Sequence, residues 1–348
     1  MVQFNFTYDP GVSLEQRVGF ELAAAIWSTY LTDDVTINLQ ISAVTNLDNG
    51  QAVGGAIPIF HEQNYGVFQA YVAQDGTSEE DSQANQILQD GNTVDVVIDG
   101  DVIDGNTEIM LTSAQAKALG MTDALVLEDG STWDRNLIDP NALDGYILIN
   151  NSYDWSYDFT RESNAPTGTL DFLTMALHEI GHALGFVSGL DGLLDIFKLH
   201  SGETRVDGFT ALDMFRHTFD SQAIDNPDGN VADLTLGANA HFSLDGETAL
   251  ATFSTGQDTT AGGDGYQASH WERFQQAVGI MDPTLGYQER TDISYLDLQA
   301  FDALGWDINY AALGQGLDFQ TLYEQALDAV AADFGIGVAE VETALANG

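Results

Sequence analysis

The chain has 348 residues, 44% of them hydrophobic, enough to bury one large core or two smaller ones. Nine Lys and Arg stand against 54 Asp and Glu, a net charge of −45 that repels nucleic acid and anionic membrane surfaces. With no cysteine there are no disulfides and no thiol chemistry, and no apolar run is long enough to span a membrane.

The opening MVQFNFTYDPG lacks a basic start and an apolar core, so no signal peptide is expected in it. Residues 13–30, SLEQRVGFELAAAIWSTY, place Val18, Leu22, Ala25, Ile26 and Tyr30 on one face of a predicted amphipathic helix. Residues 35–44 alternate, which predicts a half-buried strand with Val35, Ile37, Leu39 and Ile41 on one side. Residues 50–58 read as a glycine-rich loop. His61 has no second histidine four residues on and is expected to be ordinary. Helices are predicted around 68–73, 79–89 and 112–119, and a strand over 93–98. The run DGDVIDGN at 99–106 has the oxygen donors calcium prefers but not a full binding loop, so a polar turn is expected. Residues 143–151, LDGYILINN, predict another strand.

Residues 169–188, TLDFLTMALHEIGHALGFVS, carry the chemistry. As a helix, this stretch puts His178 and His182 four residues apart on one face, where two imidazoles can share a metal ion. Glu179 stands beside them as a candidate general base. Zinc takes His nitrogens at about 2.0–2.1 Å, and a hydrolytic site keeps one position open for water. Leu173, Ala176, Leu177, Ile180, Ala183 and Leu184 supply the apolar face of a buried helix, and Gly185 provides its exit.

The extension HEIGHALG resembles the start of the metzincin zinc signature, H-E-x-x-H-x-x-G-x-x-H. The third ligand position of that signature holds Ser188, a poor zinc ligand, so a third ligand must come from elsewhere. His200 and His217 lie in stretches that read as local helix or turn and are expected to be structural or exposed. His241 is a weak candidate, and Asp191, Asp195 and Asp213 are further oxygen donors. His270 is different. The segment 268–306, ASHWERFQQAVGIMDPTLGYQERTDISYLDLQAFDALGW, resembles the distal part of the leishmanolysin family of metzincins, where an insertion separates the zinc helix from the third histidine. Here Ser269, His270, Trp271 and Glu272 give that context, and Met281 in GIMDP gives the methionine turn, which supports the site without binding. Residues 292–304 then predict a capped helix.

The resemblance implies an α+β, metzincin-like zincin fold: a twisted mixed sheet with an N-terminal helix and the zinc helix, followed by a mostly helical and irregular lower lobe. Residues 1–187 would form the upper lobe. Residues 188–310 would form the lower lobe, with a long insertion, the third ligand and the methionine turn, and 311–348 a helical tail packed on the catalytic domain. It further implies a secreted zinc endopeptidase, with one zinc held by His178, His182 and His270 and with Glu179 as base. Tyr146, Ile147, Leu148, Ile149 and Asn150 are the expected edge strand for an extended substrate. Protein or peptide substrates, a monomer, no nucleic acid and no membrane insertion complete the expectation, with calcium as a second candidate ion. Leishmanolysin is cysteine-rich and this chain is not, so the resemblance is to a cysteine-free, bacterial type of relative. Two rival readings stay open: a non-catalytic zinc-containing adhesion or binding module of the same fold, and a metallopeptidase of another clan with an acidic third ligand such as Glu203 or Asp213.

Overall fold

Alternation and amphipathicity near the N-terminus decide the layout. The computed structural model describes residues 1–126, 132–161, 165–198, 203–224, 226 and 230–347. Strand β1 (Gln3–Tyr8) turns Phe4, Phe6 and Tyr8 toward helix α1 (Leu14–Tyr30), and Phe6 meets Phe20 of that helix. Ser13 caps α1 in a reciprocal pair with Gln16, which satisfies two otherwise orphaned N–H groups. Strand β2 (Thr36–Val44) buries Ile37, Leu39 and Ile41 on one face, as a two-residue period requires.

Next come β3 (Gly54–Pro58), β4 (Phe60–Asn64), α2 (Tyr65–Asp75), α3 (Glu79–Ile87), β5 (Val94–Ile98), β6 (Asp101–Asn106), β7 (Glu108–Thr112) and α4 (Ser113–Ala118). A two-residue pair, β8 (Leu125–Val126) with β9 (Thr132–Trp133), precedes β10 (Gly145–Asn150), and β11 (Trp155–Ser156) pairs with β12 (Leu170–Asp171) just before α5 (Phe172–Leu184). The main sheet runs β1-β2-β10-β3, with β1, β2 and β10 parallel and β3 antiparallel to β10. Helices α1 and α5 pack together, and Phe20 of α1 meets Phe172 of α5 edge to face.

Beyond α5 lie the hairpin β13–β14 (Asp195–Lys198, Thr204–Asp207), then β15 (Arg216–His217), α6 (Phe219–Gln222), β16 (Ala232–Asp233), β17 (His241–Phe242) and β18 (Ala251–Thr252). They are followed by α7 (Tyr295–Ala303), α8 (Tyr310–Gln315), α9 (Phe319–Phe334) and α10 (Val338–Asn347). The chain is therefore α+β with open sheets. Helix α9 packs on α1, and one hydrophobic cluster includes residues of the N-terminal sheet, of the region after α5 and of the tail.

Four expectations need correction. Residues 50–58 are not simply a loop: Gly54–Pro58 form β3, a strand made by its pairing with β10. The run 99–106 turns only at Asp99 and Gly100, whose φ angles are +55° and +82°, and its remainder is β6 paired with β5. Residues 146–150 are not an edge strand, because β10 is bonded to β2 on one side and β3 on the other. The region 188–310 is irregular but not mostly helical: among the described residues it holds six short strands, and α7 is its longest helix. Its glycines and aspartates favour turns over helical runs.

Candidate metal centre

The helix that presents the first two histidines is held at both ends. Asp171 caps α5, accepting from Thr174 N–H at 3.0 Å, and Arg290 fixes that carboxylate at 3.1 Å. Trp27 donates to the Leu177 carbonyl at 3.1 Å and Trp306 to the Leu184 carbonyl at 3.0 Å, so two buried indoles pin the helix to its surroundings. Gly185, with φ of +126°, ends it.

One turn of α5 separates His178 from His182, and their Nε2 atoms lie 3.0 Å apart. His270 arrives from an irregular segment 88 positions later, with its Nε2 3.2 Å from each of the other two. Each ring has its other nitrogen against a backbone carbonyl: Nδ1 of His178 on Ile280 at 2.7 Å, of His182 on Phe186 at 2.7 Å, and of His270 on Gln267 at 3.1 Å. A carbonyl only accepts, so each Nδ1 carries the proton and each Nε2 presents a lone pair. Burial works the same way, holding His178 below its ordinary pKa, pushing His182 down to about 3 and His270 well below the usual range.

Three neutral acceptors facing one another at 3.0–3.2 Å have no proton to share. A cation held between them would reconcile them. An ion holding nitrogens at about 2.0–2.1 Å in tetrahedral geometry separates them by about 3.3 Å, close to the spacing seen. Among the described residues this is the one group of three or more His, Cys, Asp or Glu side chains with ligand atoms close enough for a single ion. The buried triad can therefore bind a metal ion, while no calcium cluster of that kind stands among the described residues.

Glu179 is 4% exposed, and burial pushes its carboxyl up to about 8. A cation at the three nitrogens would oppose that shift. Its carboxylate lies against β3: a Cβ added at Gly54 would stand 2.6 Å from Oε1 and 3.0 Å from the Met175 sulfur. Strand β3, at the end of the sheet, therefore packs against the helix that carries His178 and His182. Met281 is fully buried beneath α5, and a Cβ at Gly181 would come within 2.5 Å of its sulfur.

The other sequence candidates lie elsewhere. His61 stands on β4, and His217 and His241 face each other across β15 and β17. His200 lies outside the described residues. Asp213 is consumed by Ser188 Oγ, Gly189 N–H and Thr210 N–H, while Glu203 is on the surface beside Arg205. Sequence reasoning missed Gly54 and Gly181. Each is a glycine because another side chain occupies the space of its Cβ, a relation between distant segments that no local pattern records. No family model, curated protein or solved structure matches the chain.

Proposed function

We propose that this protein is a secreted zinc endopeptidase of metzincin type, similar to the leishmanolysin family, with the metzincin-like form of the α+β fold. It rests on three proton-free Nε2 atoms close enough for a single ion, with a buried carboxylate on the residue that follows the first of them. When bound, zinc would lower the pKa of a coordinated water and polarise the scissile carbonyl.

The chain's own groups supply the rest. The carbonyls of Ile280, Phe186 and Gln267 keep the three rings in the ligating tautomer. Glu179 takes a proton from the attacking water and passes it to the nitrogen of the leaving amine. The outer edge of β3, unpaired among the described residues, would take an extended peptide as a further strand within reach of Glu179. The charge of −45 favours substrates with basic segments.

Hydrolysis of an unfolded protein such as casein tests the reading, using the parent chain and Glu179→Ala with metal content measured on both. Cleavage by the parent alone, with about one zinc in each sample, is the expected result. Equal cleavage by the two proteins would remove Glu179 from the mechanism, and zinc-loaded samples that both fail to cleave would favour a binding module.

A further inference from the structure

His270 stands in no helix or strand, so its imidazole is only as well placed as its neighbours make it. Both flanking residues are tied to carboxylates. On one side Asp191 accepts from the Ala268 N–H at 2.7 Å, the Ser269 N–H at 2.9 Å and the Ser269 hydroxyl. The Ser269 oxygen accepts the Ser188 N–H at 2.8 Å, joining the segment to the chain just past the end of α5. Ser188, where a short-gap signature would place a ligand, thus anchors the segment that brings the distant one.

On the other side Trp271, fully buried, donates its indole N–H to Asp297 at 2.8 Å. The same carboxylate, also fully buried, takes the N–H groups of Ile280 at 2.7 Å and Met281 at 3.3 Å. Ile280 carries the carbonyl that orients His178. One carboxylate therefore fixes both the residue after one ligand and the group that aims another. Its space is reserved, because a Cβ at Gly279 would collide with it.

We propose that Asp191 and Asp297 are positioning residues of the metal centre, clasping Ser269 and Trp271 so that His270 is held ready for the ion. This rests on the metal-binding reading. The plain alternative is that Asp297 merely caps α7, through its bonds with Ser294, and that Asp191 merely closes a loop. Trp271→Phe and Ser269→Ala separate the two, since the first cuts one link to the histidine segment and the second two, to Asp191 and to Ser188, while both carboxylates and the α7 cap stay in place.

The full metal-free chain is titrated with cobalt(II), followed by visible absorption, and with zinc against a chelator. Tyr71→Phe, which loses a 2.9 Å bond to the Asp123 carbonyl away from the site, serves as control. Expected are a zinc Kd weakened about 10–100-fold in Trp271→Phe and Ser269→Ala and an altered cobalt spectrum, in metal-free proteins that circular dichroism shows folded at the titration temperature, with the control unchanged in both. Wild-type affinity and spectrum in both variants would overturn the proposal and leave the metal centre standing. Failure of the wild-type chain to bind either ion would remove the metal-binding reading and this proposal with it.

Discussion

At Gly54 the absence of a side chain leaves room for the Glu179 carboxylate. Any Cβ there meets the Glu179 carboxylate at 2.6 Å, so Gly54→Ala must displace one or the other. A misplacement of about 1 Å can cost about a hundredfold in rate. The expected result for Gly54→Ala is a kcat lower by that order with the zinc content of the parent, and unchanged kcat would show that Glu179 does not act from this position. Gly181 makes the matching argument for Met281. Gly181→Ala forces the thioether away from α5 and should cost about 1–3 kcal/mol by overpacking, read as a lower urea midpoint. His178, Glu179 and His182 were legible in the sequence because a helix turn fixes their relation. His270 was legible only through the pattern around it, since 88 intervening positions carry no periodicity to follow.

Among elements, α5 was the plainest. Its apolar face and terminal Gly185 agree on one helix, and Phe172–Leu184, capped by Asp171, is what forms. Strand β3 was the opposite case. GGAIP has no alternation and two glycines, so local chemistry reads it as a loop, and it becomes a strand only by pairing with β10. That same pairing places β10 inside the sheet and puts β3 at its end. Among the short strands after α5, β15 to β18 were hidden for a related reason, as two-residue strands leave no period to detect. In the tail, α9 buries Leu322, Ala326, Leu327 and Val330. Its docking on α1 predicts that Leu327→Ala destabilises the whole chain by about 2–5 kcal/mol. A single unfolding transition at lower urea would be the sign of this, whereas an unshifted main transition would mean that the tail melts independently.

For the whole molecule, charge and burial set the response to pH. Burial raises Glu21 and Asp33 to about 7 and Asp75 and Asp302 to about 8, with neighbouring carboxylates adding to the effect on Asp75 and Asp302. A carboxyl raised in the folded state binds protons that the unfolded chain has already lost. Its contribution to stability is complete below an unfolded pKa of about 4 and disappears as pH rises through the folded value. The buried histidines work in the other direction: His182 at about 3 and His217 at about 4 favour folding as pH rises toward about 6.5. The two sets oppose each other between about pH 4 and 6.5, and above that only the carboxyls titrate. The metal-free protein should therefore lose melting temperature between about pH 6.5 and 8, and Asp75→Asn should flatten the decline. A melting temperature that climbs over that interval would contradict this.

We propose that three histidines and one ion make a hydrolytic site, and restoring metal to the metal-free protein is the decisive measurement. Metal-free protein is given zinc in steps from a buffered pool while casein hydrolysis and bound zinc are followed together, beside His270→Ala. Activity is expected to rise in proportion to bound metal and to level off at about one zinc per chain, with His270→Ala inactive and poorly loaded. Hydrolysis by the metal-free protein, or full loading of His270→Ala at the parent's affinity, would contradict it.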